Sequence, residues 1–128
     1  MAFNFMVVDD SSTTRTIIRK ILELSGLEVG EILEAENGMA AIDLVRKKWI
    51  DLVFADINMP VMTGVEMVKK MSEDGLLSTI PVVIVSSEGS ETRMEELLNC
   101  GVKAYLRKPF TPENIKGVAE KILTGGAS

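Results

Sequence analysis

The chain has 128 residues, enough for one domain around one core and too few for two ordinary domains. Hydrophobic residues make up 46% and charged residues 26%, as in a soluble globular protein, and the net charge of −5 argues against nucleic acid or an anionic membrane as a direct partner. One cysteine and no histidine exclude an internal disulfide, a cysteine-based zinc site, histidine-ligated metal, and Ser-His-Asp or Cys-His catalysis.

Any bound metal must therefore take oxygen ligands, which points to magnesium or a similar hard cation. No apolar run approaches the ~20 residues that span a bilayer. Met1-Ala2-Phe3-Asn4 lacks the basic region of a signal peptide. A cytoplasmic protein with no membrane insertion is expected.

The first element is an apolar run, Phe5-Met6-Val7-Val8, read as a buried strand that stops at Asp9-Asp10. Ser11-Ser12 can cap the helix that follows, where Ile17, Ile18, Ile21, Leu22 and Leu24 recur at helical spacing. Gly26 fits the position just past that helix, C′. Glu31 to Ala35 is a short second strand. Asn37-Gly38 turns into a second helix with Ala41, Leu44 and Val45 on one face and Arg46-Lys47-Lys48 near its C-terminus, where cations suit the dipole.

Leu52 to Ala55 is a third strand, ending in Asp56. Thr63-Gly64-Val65-Glu66 has the spacing of a capping box, and Val65, Val68 and Met71 give the third helix its apolar face up to Gly75. Pro81-Val82-Val83-Ile84-Val85 is dense in β-branched residues and reads as the fourth strand, ending at Ser86-Ser87-Glu88-Gly89. A helix from about Ser90 carries Met94, Leu97 and Leu98 and closes at Gly101, after Cys100, for which a core or half-buried thiol is expected. Lys103 to Arg107 is a fifth strand, followed by Lys108-Pro109-Phe110. Thr111-Pro112 is an N-cap with proline at N1, and Ile115, Val118, Ala119, Ile122 and Leu123 face the core from the last helix.

Five strand–helix alternations require parallel strands with helices on both faces. All strand ends then share one edge, the edge where open α/β sheets place their chemistry. That edge collects Asp9, Asp10, Asp56, Ser86 and Lys108. Each alone has a plain explanation: a helix cap for the acids, a loop residue for Ser86, a surface lysine for Lys108. Their coincidence at four strand ends favours a site. Three carboxylates repel unless a cation joins them, and a magnesium beside Asp56 would leave that carboxylate a nucleophile toward phosphorus.

Asp9-Asp10, Asp56-x-Asn58-Met59-Pro60-x-Met62-x-Gly64, Ser86 and Lys108-Pro109-Phe110 together resemble the signature of two-component receiver domains, and most nearly their single-domain chemotaxis members. The resemblance runs from Phe5 to about Leu123. It implies a doubly wound (βα)5 flavodoxin-like fold with strand order 2-1-3-4-5, an order that periodicity does not give. It implies that Asp56 is the phosphoacceptor, and that Mg2+ (or Mn2+) is held by Asp10 directly, Asp9 largely through water, Asp56, and the backbone carbonyl of Asn58. Ser86 matches the switch hydroxyl, Lys108 the phosphoryl-contacting lysine, and Tyr105 the aromatic that turns inward on activation. Asn58 and Glu88 fall at positions that tune dephosphorylation, and a short-lived phosphoryl group is expected. Thr63 stands where many relatives carry aspartate, and Ala55 is smaller than the usual residue before the phosphoacceptor.

The resemblance implies a histidine kinase as phosphodonor and an output protein or phosphatase on the face of the fourth helix, fifth strand and fifth helix. Residues 1–124 are expected to form the receiver and 125–128 a flexible tail, with the chain acting on its own. Two enzyme or ligand-binding alternatives fit less well. An aspartyl phosphatase of the haloacid-dehalogenase type would need an acid where Asn58 stands, and room for a cap domain. A nucleotide or flavin module would need glycines where Asp9-Asp10-Ser11-Ser12 stands. A phosphorylation-independent interaction module would not need the complete acceptor set.

Overall fold

The structure is a computed structural model that describes residues 2–87 and 90–125. Five strands form one sheet in the order β2-β1-β3-β4-β5, and every neighbouring pair is parallel. The strands are β1 Phe3–Val8, β2 Val29–Ala35, β3 Leu52–Ala55, β4 Val82–Ser86 and β5 Ala104–Arg107. The helices between and after them are α1 Ser12–Glu23, α2 Gly38–Lys47, α3 Gly64–Glu73, α4 Glu91–Cys100 and α5 Pro112–Leu123. This is the doubly wound flavodoxin-like arrangement that the strand–helix alternation and the receiver resemblance implied.

The strand sequences are apolar at successive positions because each face of the sheet is covered. Successive side chains point to opposite faces, so each strand feeds two cores. Phe5, Val7, Leu52, Phe54, Val83 and Val85 pack with Ile18 and Leu22 of α1 and Ile115 and Ala119 of α5. Met6, Val8, Val53, Ala55, Val82 and Ile84 pack with α2, α3 and Leu97 of α4. Phe54 is 1% exposed, and truncating such a residue to alanine costs about 3–5 kcal/mol.

Capping fixes where the helices start, and so how each strand end is presented. The Ser11 hydroxyl accepts from Thr14 N–H and caps α1. The Asn37 side chain accepts from Ala40 N–H and caps α2. The capping box expected at Thr63 and the N-cap expected at Thr111 are present, the latter extended to a box by Asn114.

Some details differ from the sequence reading. Strands β1 and β2 each begin two residues earlier, because Phe3 N–H already donates to the Glu28 carbonyl. Ile17 and Leu24 do not face the core; they are 47% and 86% exposed. The buried stripe of α1 runs through Ile18 and Leu22, four residues apart, and Ile17 lies a rotation of about 100° away from it. Leu24 is the C-cap, so Gly26 stands one residue beyond C′, with φ +87°. On α4, Leu97 is buried while its neighbour Leu98 is 45% exposed, for the same reason of helical phase. A single 3-10 turn, Leu76–Ser78, follows Gly75 and seats Leu77 in the core, a feature with no periodic signal. Gly75 itself ends α3 in the left-handed region at φ +74°, as its position suggested. Cys100 is half-buried and free. Glu88 and the tail residues 126–128 lie outside the described residues. Among the described residues no helix is long and apolar enough to cross a membrane.

Candidate functional site

The parallel ladder continues one residue past the strands and sets the candidate residues in place. Asp9 N–H donates to the Ala35 carbonyl (3.0 Å), Asp56 N–H to the Val8 carbonyl (2.9 Å) and Lys108 N–H to the Ser86 carbonyl (2.9 Å). The residues at the ends of β1, β3 and β5 are thereby fixed by backbone bonds before any side-chain contact. Ser86 is the last residue of β4, paired with Arg107, and is fully buried.

Three acids and one lysine then converge. Asp9, Asp10 and Asp56 each offer a carboxylate oxygen, and these oxygens lie within 4.8 Å of one another. Lys108 Nζ sits 3.1 Å from Asp9 Oδ2 and 3.5 Å from Asp56 Oδ2. Asp9 and Asp56 are buried, Asp10 exposed, so the cluster opens to solvent on the Asp10 side.

Helix capping does not account for these acids. The N-cap of α1 is Ser11 and that of α3 is Thr63. Asp9 Oδ1 accepts from Ser11 N–H at 2.9 Å and Asp56 Oδ1 from Ile57 N–H at 2.7 Å, each using one oxygen on its own loop and turning the other toward Lys108. Burial raises the Asp9 carboxyl above its ordinary value of 3.8; the Ser11 N–H and the Lys108 ammonium oppose this, and the Asp56 charge adds to it. Three carboxylates against one ammonium is an incompletely neutralised cluster. Its all-oxygen donor set suits a hard divalent cation such as Mg2+.

Asn58 lies two residues past Asp56 in the β3–α3 loop and its side chain is exposed. Tyr105 lies in β5 opposite Ile84, half-buried against the core on the α2–α4 side. Glu88 falls outside the described residues.

Gly64 and Arg15 also shape this edge of the sheet. Gly64 opens α3, and a Cβ there would collide with the Asp56 carbonyl oxygen, while its N–H donates to the Ile57 carbonyl at 2.8 Å. Only glycine lets α3 start that close to the end of β3. Arg15 of α1 donates through Nη1 to the Asp9 carbonyl oxygen at 2.6 Å. Its signal in the sequence was faint: a cation just past the first turn of a helix runs against the helix dipole.

With this geometry in view, comparisons with known proteins decide the family. Residues 5–120 match the response regulator receiver domain. The chain belongs to the response regulator receiver family. Receiver domains act in phosphorelay signalling and bind Mg2+ at an acidic pocket, so phosphorelay signalling is the function of this chain. It is 39% identical over 123 residues to a chemotaxis protein CheY homolog of Campylobacter jejuni, covering 95% of this chain and 93% of that protein. It is 39% identical over 119 residues to chemotaxis protein CheY1 of Helicobacter pylori, covering 92% and 94%. The solved structure of chemotaxis response regulator CheY4 of Vibrio cholerae superposes with a TM-score of 0.84 at 29% identity, covering 96% of this chain and all of that one.

Proposed function

We propose that Asp56 is the phosphoacceptor of a chemotaxis-type receiver, with residues 1–124 as the receiver unit and 125–128 as a tail. The observation that carries this is the cluster at one sheet edge: three carboxylates with Lys108 reaching two of them, while Ser11 and Thr63 cap the adjacent helices.

The donor is a phosphohistidine of a partner kinase. An Asp56 carboxylate oxygen forms a bond to phosphorus as the phosphorus–nitrogen bond breaks, and the donor imidazole leaves. Little covalent help is needed in such a transfer, so catalysis is positioning and charge stabilisation. Asp9, Asp10, Asp56 and the Asn58 carbonyl would hold Mg2+, which when bound neutralises charge on the phosphoryl oxygens. Lys108 supplies the fixed cation from the other side. The chain thus assists its own phosphorylation, and Asn58 and Glu88 tune the rate at which water removes the group.

The phosphoryl group on Asp56 draws the Ser86 hydroxyl toward it and moves Tyr105 inward. The face of α4, β5 and α5 then changes its affinity for an output protein or phosphatase. Such a switch is a local electrostatic event biasing a two-state element. The similarity to CheY proteins supports a role in chemotaxis signalling in the cytoplasm.

Acetyl phosphate with Mg2+ tests the assignment. The wild-type chain should gain one phosphoryl group, seen by intact mass or phosphate-affinity gel, and Asp56→Asn should gain none. Normal labelling of Asp56→Asn would sink it.

A further inference from the structure

Arg15 lies on α1, apart from the sheet edge that supplies the acids, yet it reaches that edge. Its side chain is 15% exposed. Nη1 donates to the Asp9 carbonyl at 2.6 Å, and Nε donates to Glu34 Oε1 on β2 at 2.8 Å. The other Glu34 oxygen takes a bond from Arg19 Nη1 at 3.2 Å, and the same Nη1 lies 3.2 Å from the Ile32 carbonyl. The Glu34 carboxylate is therefore held between two guanidinium groups on successive turns of α1, and it aims the Arg15 fork.

The Asp9 carbonyl belongs to the peptide that joins Asp9 to Asp10. Holding that peptide plane restrains ψ of Asp9 and φ of Asp10, on which the directions of both side chains depend. We infer that Arg15 is a positioning residue for the acid pair, aimed by Glu34, and that it sets how well Asp9 and Asp10 take up Mg2+. This rests on the reading of Asp9, Asp10 and Asp56 as the magnesium site.

The charge of Arg15 acts in the opposite direction to its geometry. A cation near a cation site repels the ion, so removing it for electrostatic reasons alone would tighten Mg2+ binding. Losing a positioning bond weakens it. A planar fork making two bonds at fixed angles is not replaced by the point charge of lysine.

The test is isothermal titration of the full chain with MgCl2, with thermal melts in chelator to confirm folding. Arg15→Met and Arg15→Lys should each raise the Mg2+ Kd about tenfold or more, the range seen when groups that orient metal ligands are removed. Glu34→Gln carries the test if the Arg15 variants do not fold, and should also weaken binding. Unchanged or tighter binding by Arg15→Met, or wild-type affinity in Arg15→Lys, overturns the inference; so does wild-type affinity in Glu34→Gln where it stands in for them. Asp10→Asn separates this from failure of the site itself. If Asp10→Asn loses Mg2+ while the Arg15 variants do not, the positioning role alone falls. If wild type shows no Mg2+ binding, or Asp10→Asn binds normally, the magnesium site falls and the positioning role with it.

Discussion

Two aspartates bracket β3, and their surroundings could hardly differ more. Asp51, before the strand, has both oxygens met by neutral donors of its own chain: Asn4 N–H at 2.8 Å and the Trp49 indole N–H at 3.0 Å. Asn4 closes the network, accepting from Glu31 N–H at 2.8 Å and from Asp51 N–H at 2.7 Å. Asp56, four residues of strand later, faces two more carboxylates and one lysine. One carboxylate is satisfied and ties β1, β2 and β3 together at their starts. The other belongs to a cluster of charge that the chain leaves incompletely balanced. The first carboxylate holds strands together; the second is the one proposed above to take the phosphoryl group.

The largest effect should come from removing the cation at the Asp56 end. Lys108→Met deletes the ammonium that lies 3.5 Å from Asp56, and its loss should slow phosphorylation by acetyl phosphate on the order of 100-fold, as loss of one fixed charge-stabilising donor does. Mg2+ binding should persist, because the carboxylates remain. Phosphorylation at the wild-type rate would remove Lys108 from the chemistry.

Gly64→Ala comes next, and it reads out as stability. The added Cβ would collide with the Asp56 carbonyl, backbone that cannot swing aside. Overpacking of this kind costs about 1–3 kcal/mol, measurable by urea melts, and labelling should fall with it because α3 must back away from the end of β3. Asp51→Ala should cost a comparable or smaller amount, about 2 kcal/mol for charge-assisted bonds lost at a half-buried position. The contrast lies in the second readout: Asp51→Ala should label at the wild-type rate once folded. A labelling defect there would break the division between the two ends of β3.

The same contrast explains what the sequence made legible. Apolar runs that end abruptly in Asp9 and Asp56 mark strand ends, and parallel topology alone brings strand ends together. Helix starts were legible where a short polar side chain bonds three residues ahead, as at Ser11, Thr63 and Thr111. Helical phase was less so: Ile17, Leu24 and Leu98 are as apolar as their buried neighbours, and only the docking of each helix decides which faces inward. Contacts that join distant or main-chain atoms had no local signal. Asn4 and Asp51 are 47 residues apart, Arg15 finds a backbone carbonyl, and the need for glycine at position 64 arises from the Asp56 carbonyl across a loop.

The smallest effect, and the one with the most specific sign, is in the pH dependence of stability. The Asp9 carboxyl is raised above 3.8 in the folded chain, first by burial. The native state then binds this proton more tightly than the unfolded state does. The resulting stabilisation is fully present below about pH 3.8 and is lost as pH rises through the folded value. At neutral pH in chelator, burying the Asp9 carboxyl costs stability, so Asp9→Asn should melt higher than wild type, and the gap should close toward acid. Added Mg2+ should reverse the order, since a ligand that binds only the folded state stabilises it and Asp9→Asn binds that ligand less well. An Asp9→Asn chain that melts below wild type in chelator at pH 7 would mean that Lys108 and the Ser11 N–H already outweigh the burial of Asp9. The two ends of β3 would then be more alike than their geometry suggests.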